Sequence, residues 1–67
     1  MTNELELKAE CVKKGMTLAE LANKMGVDAS TLYRKFKGGS EFSRNELQII
    51  RSVLELSDER FLEIFFD

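Results

Sequence analysis

The sequence predicts an all-α fold of five short helices, and three observations carry that expectation. Apolar residues recur three and four positions apart, the spacing that lines one side of a helix. Small polar residues suited to accept free backbone N–H groups stand just ahead of these runs, twice with a glutamate three positions on. Glycines follow the first three runs, where a left-handed residue can end a helix. With 67 residues the chain is read as one domain, 1–67, near the lower size limit for folding without a staple.

The first helix is expected from about Glu4 to Lys14, with Leu5, Ala9 and Val12 leading a broad apolar side and Leu7 and Cys11 beside them. Gly15 ends it. Met16 precedes the cap Thr17, and Glu20 lies three residues beyond, the pattern of a hydrophobic staple and capping box. The second helix therefore runs from Leu18 to about Met25, with Leu18, Leu21, Ala22 and Met25 on one face. Gly26 turns the chain, Asp28 is placed to cap, and a third helix follows from Ala29 to about Lys37 with Leu32 and Phe36 one turn apart. Two short helices joined this closely must cross, so residues 17–37 read as a helix-turn-helix, whose second helix commonly enters the major groove of DNA. After Gly38-Gly39 and a polar loop, Phe42, Ser43 and Glu46 repeat the staple and box, opening a fourth helix from Arg44 to about Leu54. Leu56 and Ser57 form the next break, and the last helix runs from Asp58 to about Phe66.

Composition removes several functions. With no histidine and one cysteine, neither an intramolecular disulfide nor a zinc finger can form. The chain carries neither a phosphate-binding glycine loop nor a cluster of metal ligands, so no cofactor and no enzymatic activity are expected. Cys11 reads as a packed residue. Apolar runs are too short to span a membrane, and the charged start TNELELK shows no signal peptide, so a cytoplasmic location is the expectation.

Net charge is -2, but its distribution is uneven. Residues 28–44 hold Arg34, Lys35, Lys37 and Arg44 against Asp28 and Glu41, whereas residues 45–67 hold two arginines against six acids. Affinity for a duplex follows the charge that faces the phosphates. On the third helix, Ala29, Ser30, Tyr33 and Arg34 are the side chains expected nearest the bases. Arg34 is the strongest base reader, because its planar fork fits both acceptors of a guanine edge. Thr17, Thr31, Lys35, Lys37 and Ser40 are the expected phosphate contacts. The last helix offers Phe61, Leu62, Phe65 and Phe66, more apolar side chains than one helix face holds. They either complete the core or form a surface for a second copy or a partner regulator.

The segment Met16 to Gly38, MTLAELANKMGVDASTLYRKFKG, resembles the Cro/C1-type helix-turn-helix family of phage and bacterial repressors. Leu21-Ala22, Gly26-Val27, Ser30-Thr31-Leu32 and Gly38 carry the likeness, and Phe42-Ser43 with the helix after it extends it over nearly the whole chain. Two positions depart: Leu18 stands where the family often has a phosphate-gripping glutamine, and Phe36 where a glutamate is usual. The resemblance implies a lambda-repressor-like domain of the short, Cro-like kind. It also implies a homodimer on palindromic double-stranded DNA, acting as a transcriptional regulator read through Ala29, Ser30, Tyr33 and Arg34. A protein-interaction module, gripping a partner regulator by the phenylalanine-rich helix as an antirepressor or antitoxin would, is the rival reading.

Overall fold

Four of the five helix starts among the described residues are set by side-chain oxygens that accept otherwise unpaired N–H groups. A computed structural model describes residues 2–38 and 41–66, and these contain five helices and the turns between them. They are α1 (Glu4–Lys13), α2 (Leu18–Met25), α3 (Ala29–Phe36), α4 (Arg44–Leu54) and α5 (Asp58–Phe65). Asn3 opens α1 by accepting from the Glu6 N–H. Thr17 Oγ1 accepts from the Glu20 N–H at 3.1 Å while Glu20 Oε1 accepts from the Thr17 N–H at 3.0 Å. Ser43 and Glu46 repeat this reciprocal box on α4, and Ser57 caps α5. Asp28 differs from expectation: it holds the cap position of α3 but makes no side-chain cap hydrogen bond. Its charge acts there only through the helix dipole. Replacing Thr17 with alanine removes half of a closed box, with an expected loss of about 1 kcal/mol in urea unfolding.

Three of the helices end the same way. Gly26 takes a left-handed φ of 77°, which turns the Val27 N–H back onto the Ala22 carbonyl at 3.0 Å. The Met16 N–H reaches Cys11 across Gly15, and the Leu56 N–H reaches Arg51 across Glu55. Glu55 is the one non-glycine among the described residues with a positive φ, 53°. Its carboxylate pairs with the Lys14 ammonium, so the turn after α4 is tied to the end of α1. Helices α1, α3 and α5 each stop one residue short of the spacing-based expectation.

The face that α1 buries is not the one its sequence put first. Leu7, Glu10 and Cys11 point inward, while Leu5 and Val12 are 77% and 74% exposed. Leu5, Ala9 and Val12 also satisfy helical spacing, so α1 carries two apolar stripes. Contact with α5 selects the other one: Arg60 on α5 bonds Glu10 Oε2 at 2.7 Å and also meets Glu6, and the Asn3 N–H donates to the Ile64 carbonyl.

A chain of aromatic contacts joins α3, the segment before α4, and α5. Phe36 of α3 meets Phe42 with ring centres 5.9 Å apart, Phe42 meets Phe65 edge-on at 5.6 Å, and Phe65 meets Phe61 at 5.0 Å. Such pairs add to the stabilisation from buried area. Phe65, expected as part of a partner surface, is only 5% exposed and belongs to the core, and Phe61 is half-buried against it. Phe61 lies three and four residues before Ile64 and Phe65 and shares their inward side, whereas Leu62 and Phe66, four apart, lie together on the outer side and stay exposed.

Candidate nucleic-acid interface

The spacing of Leu32 and Phe36 fixes how α3 is rolled. Both are buried, with α2 and the aromatic chain against them, so the remaining positions must face outward. Ser30, Tyr33, Arg34 and Lys37 are exposed, and Ala29 and Thr31 lie half-buried at the two edges. The four residues expected nearest the bases therefore share the outer side of one helix, with Ala29 least accessible.

Arg34 has no carboxylate partner among the described residues. A single 3.4 Å hydrogen bond runs from its Nη2 to Thr31 Oγ1, which steadies the side chain from one turn back and leaves most of its donors open. Tyr33 sits beside it, its ring edge-on to Phe36 at 6.4 Å. A guanidinium and a phenol on one exposed helix face supply a bidentate donor and a stacking or hydroxyl contact, the chemistry by which groove edges are read.

The expected phosphate contacts divide. Lys37 is well exposed at the end of α3. Thr17 Oγ1 is occupied as the α2 cap acceptor, yet its hydroxyl proton remains to donate. Thr31 accepts from Arg34. Ser40 lies outside the described residues. Lys35 is a correction: its side chain is only 13% exposed. Its ammonium donates to the Glu41 carbonyl at 3.0 Å, pairs with Glu46 Oε1 at 3.1 Å and lies over the Phe42 ring. Burial raises the Glu46 carboxyl, but the Ser43 N–H and the Lys35 ammonium outweigh it and hold that carboxyl below its usual range. Lys35 therefore fastens the recognition helix to the start of α4, a positioning role rather than a phosphate contact.

Two residues of α1 also reach this surface, and nothing in the sequence pattern marked them. Lys8 Nζ lies 5.9 Å from the centre of the Tyr33 ring. The Glu4 carboxylate touches Lys8 at 3.2 Å and Lys37 at 3.8 Å. Among the described residues no group of three His, Cys, Asp or Glu side chains converges where a metal ion would sit, and no helix is long and apolar enough to cross a membrane.

The helix-turn-helix family model matches residues 7–61, from the inward face of α1 to the middle of α5. The chain belongs to the Cro/C1-type helix-turn-helix family. No curated protein and no solved structure matches it. The all-helical fold agrees with the family, in which the Cro/C1-type domain is a DNA-binding unit of transcription regulators, and this protein is a DNA-binding regulator in that general sense. In this Cro/C1-type chain Leu18, at the position where a glutamine is frequent, is half-buried and packs against the core. Phe36, at the usual glutamate position, supplies the first ring of the aromatic chain. Both departures replace polar groups at the edge of the interface with core packing.

Proposed function

We propose that the protein is a sequence-specific, Cro-like repressor, of the kind used by phages and prophages, that occupies operator DNA in the cytoplasm and blocks or redirects polymerase without chemistry. The observation that carries this reading is Arg34: an exposed guanidinium on the outer side of α3, without an acidic partner among the described residues and steadied by Thr31. Ser30 and Tyr33 flank it, Ala29 offers a methyl group to a thymine, and Lys37 lies toward the backbone.

Leu62 and Phe66, 55% and 63% exposed, support pairing of two copies through α5. A two-fold pair would set its recognition helices one duplex turn apart on a palindromic site. The same two side chains also favour the rival reading, an antirepressor-like or antitoxin-like module that grips a partner regulator.

Selection of bound sequences from a random duplex pool at low salt, followed by a salt titration, tests the proposal. A two-fold symmetric site with affinity falling steeply as salt rises supports it. No enrichment by the folded protein refutes it and favours the partner-binding module. Replacing Arg34 with alanine is expected to relax discrimination at one base pair of each half-site by about 1–3 kcal/mol. Unchanged preference in that variant would remove Arg34 from its role. Tyr33 is the sole tyrosine in a chain without tryptophan, so its emission reports directly on what meets α3.

A further inference from the structure

A carboxylate that shares a lysine with DNA phosphate competes for it, because both present anionic oxygens to the same ammonium donors. Glu4 occupies such a place. Its Oε2 lies 3.2 Å from Lys8 Nζ and its Oε1 lies 3.8 Å from Lys37 Nζ, so one side chain spans two cations on different helical elements. Lys37 follows directly on the exposed face of α3, and Lys8 lies over the ring of Tyr33. Both lysines thus flank the groups read above as base contacts. Local helix energetics explain only part of this arrangement. A first-turn acid favours the dipole, and a glutamate four residues before a lysine supports α1. Neither effect accounts for Lys37, which is 33 positions away in sequence and caps another helix. Glu4 also lies outside the span 7–61 that the family model matches.

We propose that Glu4 is an internal competitor of DNA phosphate: in the free protein it holds Lys8 and Lys37, and a duplex must displace it to use them. The inference rests on the reading that α3 docks on DNA. Its consequence is a lowered affinity for any duplex, with most of the loss at sites where shape and bases do not repay the displacement.

The test uses a short labelled duplex of mixed sequence, titrated across a range of salt concentrations. The variants are Glu4→Gln, the control Glu59→Gln, Arg34→Ala, and Lys8→Met/Lys37→Met with and without Glu4→Gln. Glu59 is exposed in the first turn of α5 and has no ion pair among the described residues, so its loss matches Glu4→Gln in net charge and in first-turn dipole effect without releasing a lysine. Thermal melts first establish that each variant is folded. Glu4→Gln is expected to bind about three- to tenfold more tightly than Glu59→Gln at low salt. Its log–log salt slope should be steeper by about 0.9 for each lysine released to a phosphate. The gain should vanish on the lysine-free background. If Glu4→Gln gains no more than Glu59→Gln, or keeps its gain without the lysines, while Arg34→Ala still weakens binding, the competitor role is overturned and docking through α3 stands. If neither the unaltered protein nor Glu4→Gln binds or shifts the Tyr33 emission, docking through α3 fails and the competitor role falls with it.

Discussion

Replacing Phe65 with alanine is expected to leave the chain largely unfolded at room temperature. Phe65 is 5% exposed and touches both Phe42 and Phe61, so it joins the loop before α4 to the last helix. Truncating a buried phenylalanine costs about 3–5 kcal/mol, through lost transfer energy and the cavity left behind. A domain of this size rarely holds more than about 3–5 kcal/mol in total, so the truncation removes all of it or more. Loss of the helical circular dichroism signal, recovered on cooling or with a stabilising osmolyte, is the measurement. The comparison that gives the result its meaning is Leu62→Ser and Phe66→Ser on the outer side of the same helix. These variants should keep the unfolding midpoint of the unaltered protein at low concentration, because they remove side chains that already meet water. If Phe65→Ala remained folded and only lost self-association, the core role drawn from its burial would be wrong.

The contrast between Phe65 and its neighbours shows where a sequence stops specifying its fold. Thr17 with Glu20 and Ser43 with Glu46 were legible because each box closes within four residues and needs no other part of the chain. Gly26 was legible for the same reason, and with it the crossing of α2 and α3 that presents Ser30, Tyr33 and Arg34 outward. The face of α1 was not, because Leu5, Ala9 and Val12 offer as good a stripe as Leu7 and Cys11. A contact from Arg60, fifty positions beyond Glu10, decides between them. Lys35 was misread likewise: a lysine on a recognition helix looks like a phosphate contact until the Glu46 carboxylate of the next helix is known to sit beneath it. Glu55 broke a local rule outright, since a left-handed turn residue is ordinarily glycine or asparagine. The α4–α5 turn was recognised from the Ser57 cap instead. Local chemistry thus prescribed the elements and most of the candidate interface, and pairings between distant charges decided the rest.

Those distant charges predict the second large effect. Arg60 of α5 donates through Nε to Glu10 at 2.7 Å and through Nη1 to Glu63 at 3.2 Å, and it also reaches Glu6. Lys13 adds a second cation 3.2 Å from Glu10. The Glu10 side chain is 10% exposed, so its charge depends on these partners rather than on water. The Arg60 hydrogen bond, opposed by burial and helped by Lys13, holds the Glu10 carboxyl below its usual range, and the three carboxylates drive the Arg60 guanidinium still further from deprotonation. Arg60→Met should therefore cost about 2–4 kcal/mol in urea unfolding near neutral pH, because it strands a nearly buried carboxylate with only Lys13. Since the folded value of Glu10 is depressed, its contribution is complete above the unfolded carboxylate value of about 4.3 and is lost as pH falls through the folded one. The deficit of Glu10→Gln against the unaltered protein should accordingly be largest near neutrality and shrink in acid. Glu10→Leu combined with Arg60→Met should recover most of the loss, because replacing both partners of a buried pair by apolar groups removes the stranded charge. A double variant as unstable as Arg60→Met alone, or a Glu10→Gln deficit that is independent of pH, would assign the coupling of α1 to α5 to packing and leave the ion pairs without a part in it.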